Sequence, residues 1–154
     1  MAADSTTANL ENVIDILNGL FAKEQNSMVR FLADASPTLT RTEGEIRRPL
    51  VDMVKTHTRH CSELYRLIEY LGGIPINPQP QPEEQYMAFL ALNFMLPKLV
   101  STRKDTISTL TKALATLAKA PAEVKSLLQA HLKDHQRELA ILEKAESHIA
   151  PGKN

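Results

Sequence analysis

The sequence predicts an all-α protein, a single four-helix bundle over residues 1–154. Three observations carry that prediction. Apolar residues recur at three- and four-residue spacing along four separate stretches. The chain is rich in Ala, Leu, Lys, Glu and Gln, with no Trp and few other aromatic residues, a composition for helices and against a β-sandwich. Proline and glycine punctuate the stretches, and one long proline-rich run falls in the middle of the chain.

The first helix is expected from about Ala8 to Ala35, with Leu10, Val13, Leu17, Leu20, Met28 and Phe31 on one stripe and Glu24 near its middle. Residues Met1 to Thr7 ahead of it, and 151–154 at the other end, are expected to be flexible. Ser36-Pro37 ends the helix, because the residue before proline is pushed out of the helical region. Thr42 and Glu45 have capping-box spacing, which makes Thr42 a candidate N-cap for the second helix. Pro49 implies either a kink or a helix proper that begins there.

The second stripe comprises Ile46, Leu50, Met53, Leu64, Leu67, Ile68 and Leu71, and Gly72-Gly73 stops it. Four prolines stand among the nine residues from Ile74 to Pro82. Such a segment is extended and stiff, about 3 Å per residue, and spans roughly 30 Å. That is about one bundle length, so a crossover is expected, with the second and third helices parallel in an up-down-down-up arrangement.

The third helix is expected from about Glu83 to Lys119, on the stripe Leu92, Leu96, Leu99, Ile107, Leu110, Leu114 and Leu117, with Arg103 in its centre. Its first half, Tyr86 to Val100, is apolar on nearly all sides. Met87, Leu90, Phe94 and Met95 are expected to face away from the stripe. A homodimer through this face is expected, although a short additional element could cover it instead. Pro97 is expected to kink the helix. Pro121 suits the first position of a fourth helix running to about Ile149, on Val124, Leu127, Leu128, Leu139, Leu142, Ala145 and Ile149.

Eighteen basic residues balance eighteen acidic ones, so no field attracts nucleic acid or anionic lipid. No apolar run reaches the length of a membrane span, and Met1 to Ala8 lacks the pattern of a secretory signal. The single cysteine, Cys61, excludes an internal disulfide and reads as a packed thiol; a cytoplasmic setting is expected.

Each stripe carries a polar interruption. These are Glu24, then His57 and His60, then Arg103, then His131 and His135, with Glu138 also inside the fourth stripe. Counting residues from the turns at about 1.5 Å each brings them within roughly two helical turns of one level. An unpartnered buried polar group costs several kcal/mol, so such groups should partner one another. Four imidazoles and a carboxylate, Glu24, His57, His60, His131 and His135, form a ligand set for one zinc, iron or copper ion. Alternatively, Glu24 pairs with Arg103 and the histidines complete a metal-free hydrogen-bond network in a structural or interaction protein. Arg103, a permanent cation, opposes a nearby metal and favours the second reading.

The segment Leu17-Asn18-Gly19-Leu20-Phe21-Ala22-Lys23-Glu24 resembles the first helix of the ferritin-like superfamily, bacterioferritins in particular, up to its iron-ligand glutamate. His57 to Pro75 is similar, without a gap, to that family's Glu-x-x-His helix ending in Gly-Leu-Pro, here Gly73-Ile74-Pro75. The resemblance spans roughly residues 10–149, and it implies a four-helix bundle with a long crossover between helices two and three. It also implies that Glu24 and His60 sit at ligand positions. His57 stands where a bridging glutamate belongs, Arg103 replaces the third-helix carboxylate, and the fourth-helix motif is only approximated by His131 with Asp134, or by His135. The resemblance therefore implies an altered site, not a standard iron-storage ferroxidase; a binding protein is expected in preference to an enzyme.

Overall fold

The computed structural model describes residues 2–30, 46–79 and 92–149. Among these residues are four helices, α1 Ala2–Gln25, α2 Arg47–Tyr70, α3 Leu92–Thr116 and α4 Ala122–Ile149, and a 3₁₀ turn, Met28–Arg30, after α1. Helix α1 packs on α2 and α3 on α4, and the two pairs meet through α2 against α4 and α1 against α3.

Two apolar clusters fix the direction of each helix. One joins Val13, Leu17 and Phe21 to Leu64, Ile68, Leu110, Leu117, Val124 and Leu128. The other joins Met28 and Val29 to Leu50, Met53, Met95, Leu96, Leu99 and Leu142. Residues 13–21 of α1 thus share an end of the bundle with the ends of α2 and α3 and the start of α4, while Met28 and Val29, after α1, lie at the other, giving the expected up-down-down-up order. Burying a Leu, Phe or Met side chain contributes about 1.5–3 kcal/mol, so these clusters hold the bundle closed at both ends. Residues 80–91, which complete the connection from α2 to α3, lie outside the described residues, as do Thr42, Met87 and Leu90.

Helix α1 differs from expectation at both ends, starting at Ala2 and ending at Gln25 instead of running on toward Ala35. Ser27 gives the physical reason for the stop. Its Oγ accepts a hydrogen bond from the Val29 N–H at 3.3 Å, offering the backbone a partner outside the helix. The turn that follows buries Met28 and Val29. Helix α2 begins at Arg47, so Pro49 falls in its first turn, where the missing N–H costs no helical bond.

At its other end α2 closes in a Schellman motif. The Gly72 N–H donates to the Glu69 carbonyl and the Gly73 N–H to the Ile68 carbonyl, each at 2.9 Å, with Gly72 at φ +87°. Asn18 of α1 then clips the departing chain. Its Nδ2 donates to the Ile74 carbonyl at 3.2 Å, and its Oδ1 accepts from the Ile76 N–H at 2.8 Å.

Met95 departs from the expected outward face. It is 1% exposed and packs in the cluster that contains Met28 and Val29, so the turn after α1 covers this side of α3. Phe94, at 61% exposed, does face outward. Pro97 lies inside α3, and Pro121 directly precedes α4, its carbonyl accepting from the Val124 and Lys125 N–H groups. No helix among the described residues is long and apolar enough to cross a membrane.

Candidate metal centre

A polar layer separates the two apolar clusters. Glu24, His60, Arg103, His131 and His135 are all buried there, and the His57 side chain is 10% exposed. The same 3.6-residue period that aims the leucines of each helix inward aims these residues inward one or two turns along. Glu138, one turn beyond His135 in α4, joins them at 4% exposed.

Glu24 is the hub. Its Oε2 accepts from His135 Nε2 at 3.2 Å, while Oε1 faces Nδ1 of both His57 and His60 at 3.5 Å. Neither of those two Nδ1 atoms makes a well-formed hydrogen bond among the described residues. Ligand atoms of Glu24, His60 and His135 all lie within 4.8 Å of one another. The far nitrogen of His60, Nε2, donates to Asp134 Oδ2 at 2.9 Å. Asp134 is itself held by Arg59 and by Arg137, whose Nη2 donates to Oδ1 at 3.1 Å.

Arg103 does not pair with Glu24, as the metal-free reading expected. Its Nη2 is 3.3 Å from Glu138 Oε2, and its Nη1 donates to His135 Nδ1. The correction is one of register. Glu138 lies one turn from His135 on the facing helix, nearer to Arg103 than the carboxylate on α1.

His131 stands beside the hub and does not touch it. Its ring stacks on that of His60, centroids 3.7 Å apart, and its Nε2 is 3.4 Å from Glu63 Oε1 on α2. The sequence points to neither Glu63 nor the Glu138–Arg103 pair, and it places Asp134 beside His131 in the approximate fourth-helix motif, whereas Asp134 holds His60 Nε2. The signal for Glu138 was present in its place inside the α4 stripe. Asp134 and Glu63 lie at the stripe edges, where side-chain direction decides.

The ionisation states follow from these contacts. Burial alone would push the Glu24 carboxyl up, but the imidazoles of His135, His57 and His60 outweigh it and hold it well below the usual carboxylate range. For His60, burial is likewise outweighed by Glu24 and Asp134, and its pKa is raised. Burial, with His60 alongside, pushes His131 down to about 3, so it is neutral at pH 7. Burial and then Arg103 lower His135 against the pull of Glu24. Burial raises Glu138 despite Arg103. Burial pushes the Cys61 thiol up to about 12; its Sγ lies 3.9 Å from His57 Nε2, and it is no thiolate near neutral pH.

Nδ1 of His57 and Nδ1 of His60 both face one anionic oxygen, Glu24 Oε1, at 3.5 Å, a donor set that a cation could share. The Asp134–His60 contact is the outer carboxylate that typically orients a ligating imidazole. Glu138, by contrast, is already neutralised by Arg103.

No family model matches the chain, and no curated protein sequence matches it. Two solved structures do. One is described as ferritin-like, diiron-carboxylate proteins from Bacillus anthracis str. Ames. It is 18% identical, covers 90% of this chain and 97% of its own, and has a TM-score of 0.72. The other is the bacterioferritin of Desulfovibrio desulfuricans, described with its diiron site in different catalytic states. It is 18% identical, covers 92% of this chain and 82% of its own, and has a TM-score of 0.73. The bundle therefore has the ferritin-like fold; at this identity the likeness concerns the fold.

Proposed function

We propose that the protein binds a single transition-metal ion, zinc, iron or copper, at Glu24 and the histidines around it. The observation that carries this reading is the pair of buried Nδ1 atoms of His57 and His60, both 3.5 Å from Glu24 Oε1 and neither in a well-formed hydrogen bond among the described residues. Imidazole nitrogen with one carboxylate oxygen is the donor set that first-row dications take. The proposed role is binding, and the site is not a standard iron-storage ferroxidase. Among the described residues Glu24 is the one buried carboxylate of the layer without an arginine partner. A dinuclear centre would also stand beside the permanent charge of Arg103 with little anionic charge to balance it.

A metal-free bundle is the second reading, favoured by the way Arg103, Glu138 and His135 already satisfy one another on the α3–α4 side. Removal of the outer carboxylate separates the two. Asp134→Asn should weaken zinc binding by about 10- to 100-fold, measured by competition with a chromogenic chelator. An unchanged zinc affinity in that variant, or no zinc binding by the wild type, would count against the metal.

A further inference from the structure

We infer that Arg103 holds His135 in the neutral tautomer whose proton blocks Nε2, the nitrogen that faces Glu24, leaving Glu24 and the Nδ1 atoms of His57 and His60 as the ligands. The inference rests on the metal-binding reading above and says which imidazoles serve it. Arg103 Nη1 lies within hydrogen-bonding reach of His135 Nδ1, both side chains being buried. A guanidinium only donates and is never deprotonated in a protein, so Nδ1 must present its lone pair. A neutral imidazole carries one N–H, which is thereby placed on Nε2. That nitrogen faces Glu24 Oε2 at 3.2 Å, an acceptor. Two contacts on opposite sides of the ring therefore specify the same tautomer.

Coordination through Nε2 requires the lone pair there and the proton on Nδ1. The proton would then point at the guanidinium, donor against donor, in a place that water does not reach. His60 has the opposite wiring. Asp134 accepts from its Nε2, so in the neutral ring the lone pair is on Nδ1, the atom that faces Glu24 Oε1 at 3.5 Å without a well-formed hydrogen bond among the described residues. Geometry alone makes Glu24, His60 and His135 a three-ligand cluster. The protons assign His135 to orienting Glu24 instead. Arg103 is then a positioning residue that limits how many imidazoles an ion can gather.

The test is a long-range ¹H–¹⁵N correlation spectrum of the full chain, labelled with ¹⁵N and stripped of metal with EDTA, before and after one equivalent of zinc. His135 is identified by loss of its signals in His135→Asn. Before zinc, His135 should show a protonated-type Nε2 and an unprotonated-type Nδ1. After zinc, the Nδ1 signals of His57 and His60 should move to metal-bound positions while His135 keeps its tautomer. Arg103→Met should release His135 to become a third zinc-shifted imidazole, and Arg103→Lys, which keeps a donor, should hold it back. An Nδ1-protonated His135 in the wild type overturns the inference, as does a zinc-shifted His135 Nε2. The wild-type spectrum decides this even where a variant does not fold. If His135 has the stated tautomer and no imidazole responds to zinc in either wild type or Arg103→Met, the metal site itself fails, and the ligand assignment with it.

Discussion

Replacing Arg103 by Met should destabilise the metal-free protein by about 3–5 kcal/mol, the range for removing one partner of a buried ion pair. The magnitude comes from what is left behind. Arg103 and Glu138 side chains are each 6% exposed and sit 3.3 Å apart, so the substitution strands a carboxylate that water cannot solvate. His135 Nδ1 loses its donor at the same time, which adds about 1–3 kcal/mol for an unmet buried acceptor. Protonation of Glu138 caps the sum, because burial already raises its pKa and a neutral carboxyl is the cheaper state once the cation is gone. Urea unfolding at pH 7 with EDTA measures the loss. The double variant Arg103→Met/Glu138→Gln should recover most of it, since no buried charge then remains unpaired. A single variant within about 1 kcal/mol of wild type, or a double variant costing the sum of its singles, would refute the buried pair.

Other outcomes follow from the same geometry. A Cβ on Gly73 would lie 2.7 Å from Ile14 Cγ2 and 3.1 Å from Ile68 Cγ2, so Gly73→Ala should cost about 1–3 kcal/mol in urea unfolding; a neutral result would show that α1 does not sit so closely on the end of α2. Because His131 is held down to about 3, its neutral form stabilises the fold above its ordinary value near 6.5. That contribution is lost as pH falls below 6.5, by about 1.4 kcal/mol per unit, and His135, also lowered, adds to the slope. His60 acts with the opposite sign: its raised pKa contributes fully below 6.5 and is lost as pH rises through its folded value. Metal-free stability should therefore peak near neutrality, and His131→Gln should flatten the acid side; equal urea midpoints at pH 5 and 7 would contradict this. Pairing of two chains through the first half of α3, proposed from its apolar sequence and the outward Phe94, predicts a sedimentation mass of two chains, reduced to one by Phe94→Glu. A wild-type mass of one chain would end that proposal.

Much of the fold was legible in the sequence because its signals are local. The leucine stripes, Gly72-Gly73 and Pro121 each act within a turn or two of where they stand. The depth of Glu24, His60, Arg103, His131 and His135 was legible for the same reason, since one period governs apolar and polar positions alike. What the period leaves open is partnership across helices. Arg103 could reach Glu24 or Glu138, and only the axial offset between α3 and α4 decides for Glu138. His131 and His135 both point inward from α4, yet one turn of separation puts His135 on Glu24 and His131 against Glu63. The stop of α1 at Gln25 was missed because Met28 and Phe31 continue the stripe, while Ser27 breaks the helix through a side-chain bond that a hydrophobic period does not register.

The central claim, one ion per chain held at Glu24, is tested most directly by metal stoichiometry. Apo protein dialysed against zinc, then freed of excess and analysed for metal per chain, should retain one equivalent. Glu24→Ala, which removes the carboxylate that faces Nδ1 of both His57 and His60, should retain none. Two equivalents in the wild type, or one that survives Glu24→Ala, would contradict the account.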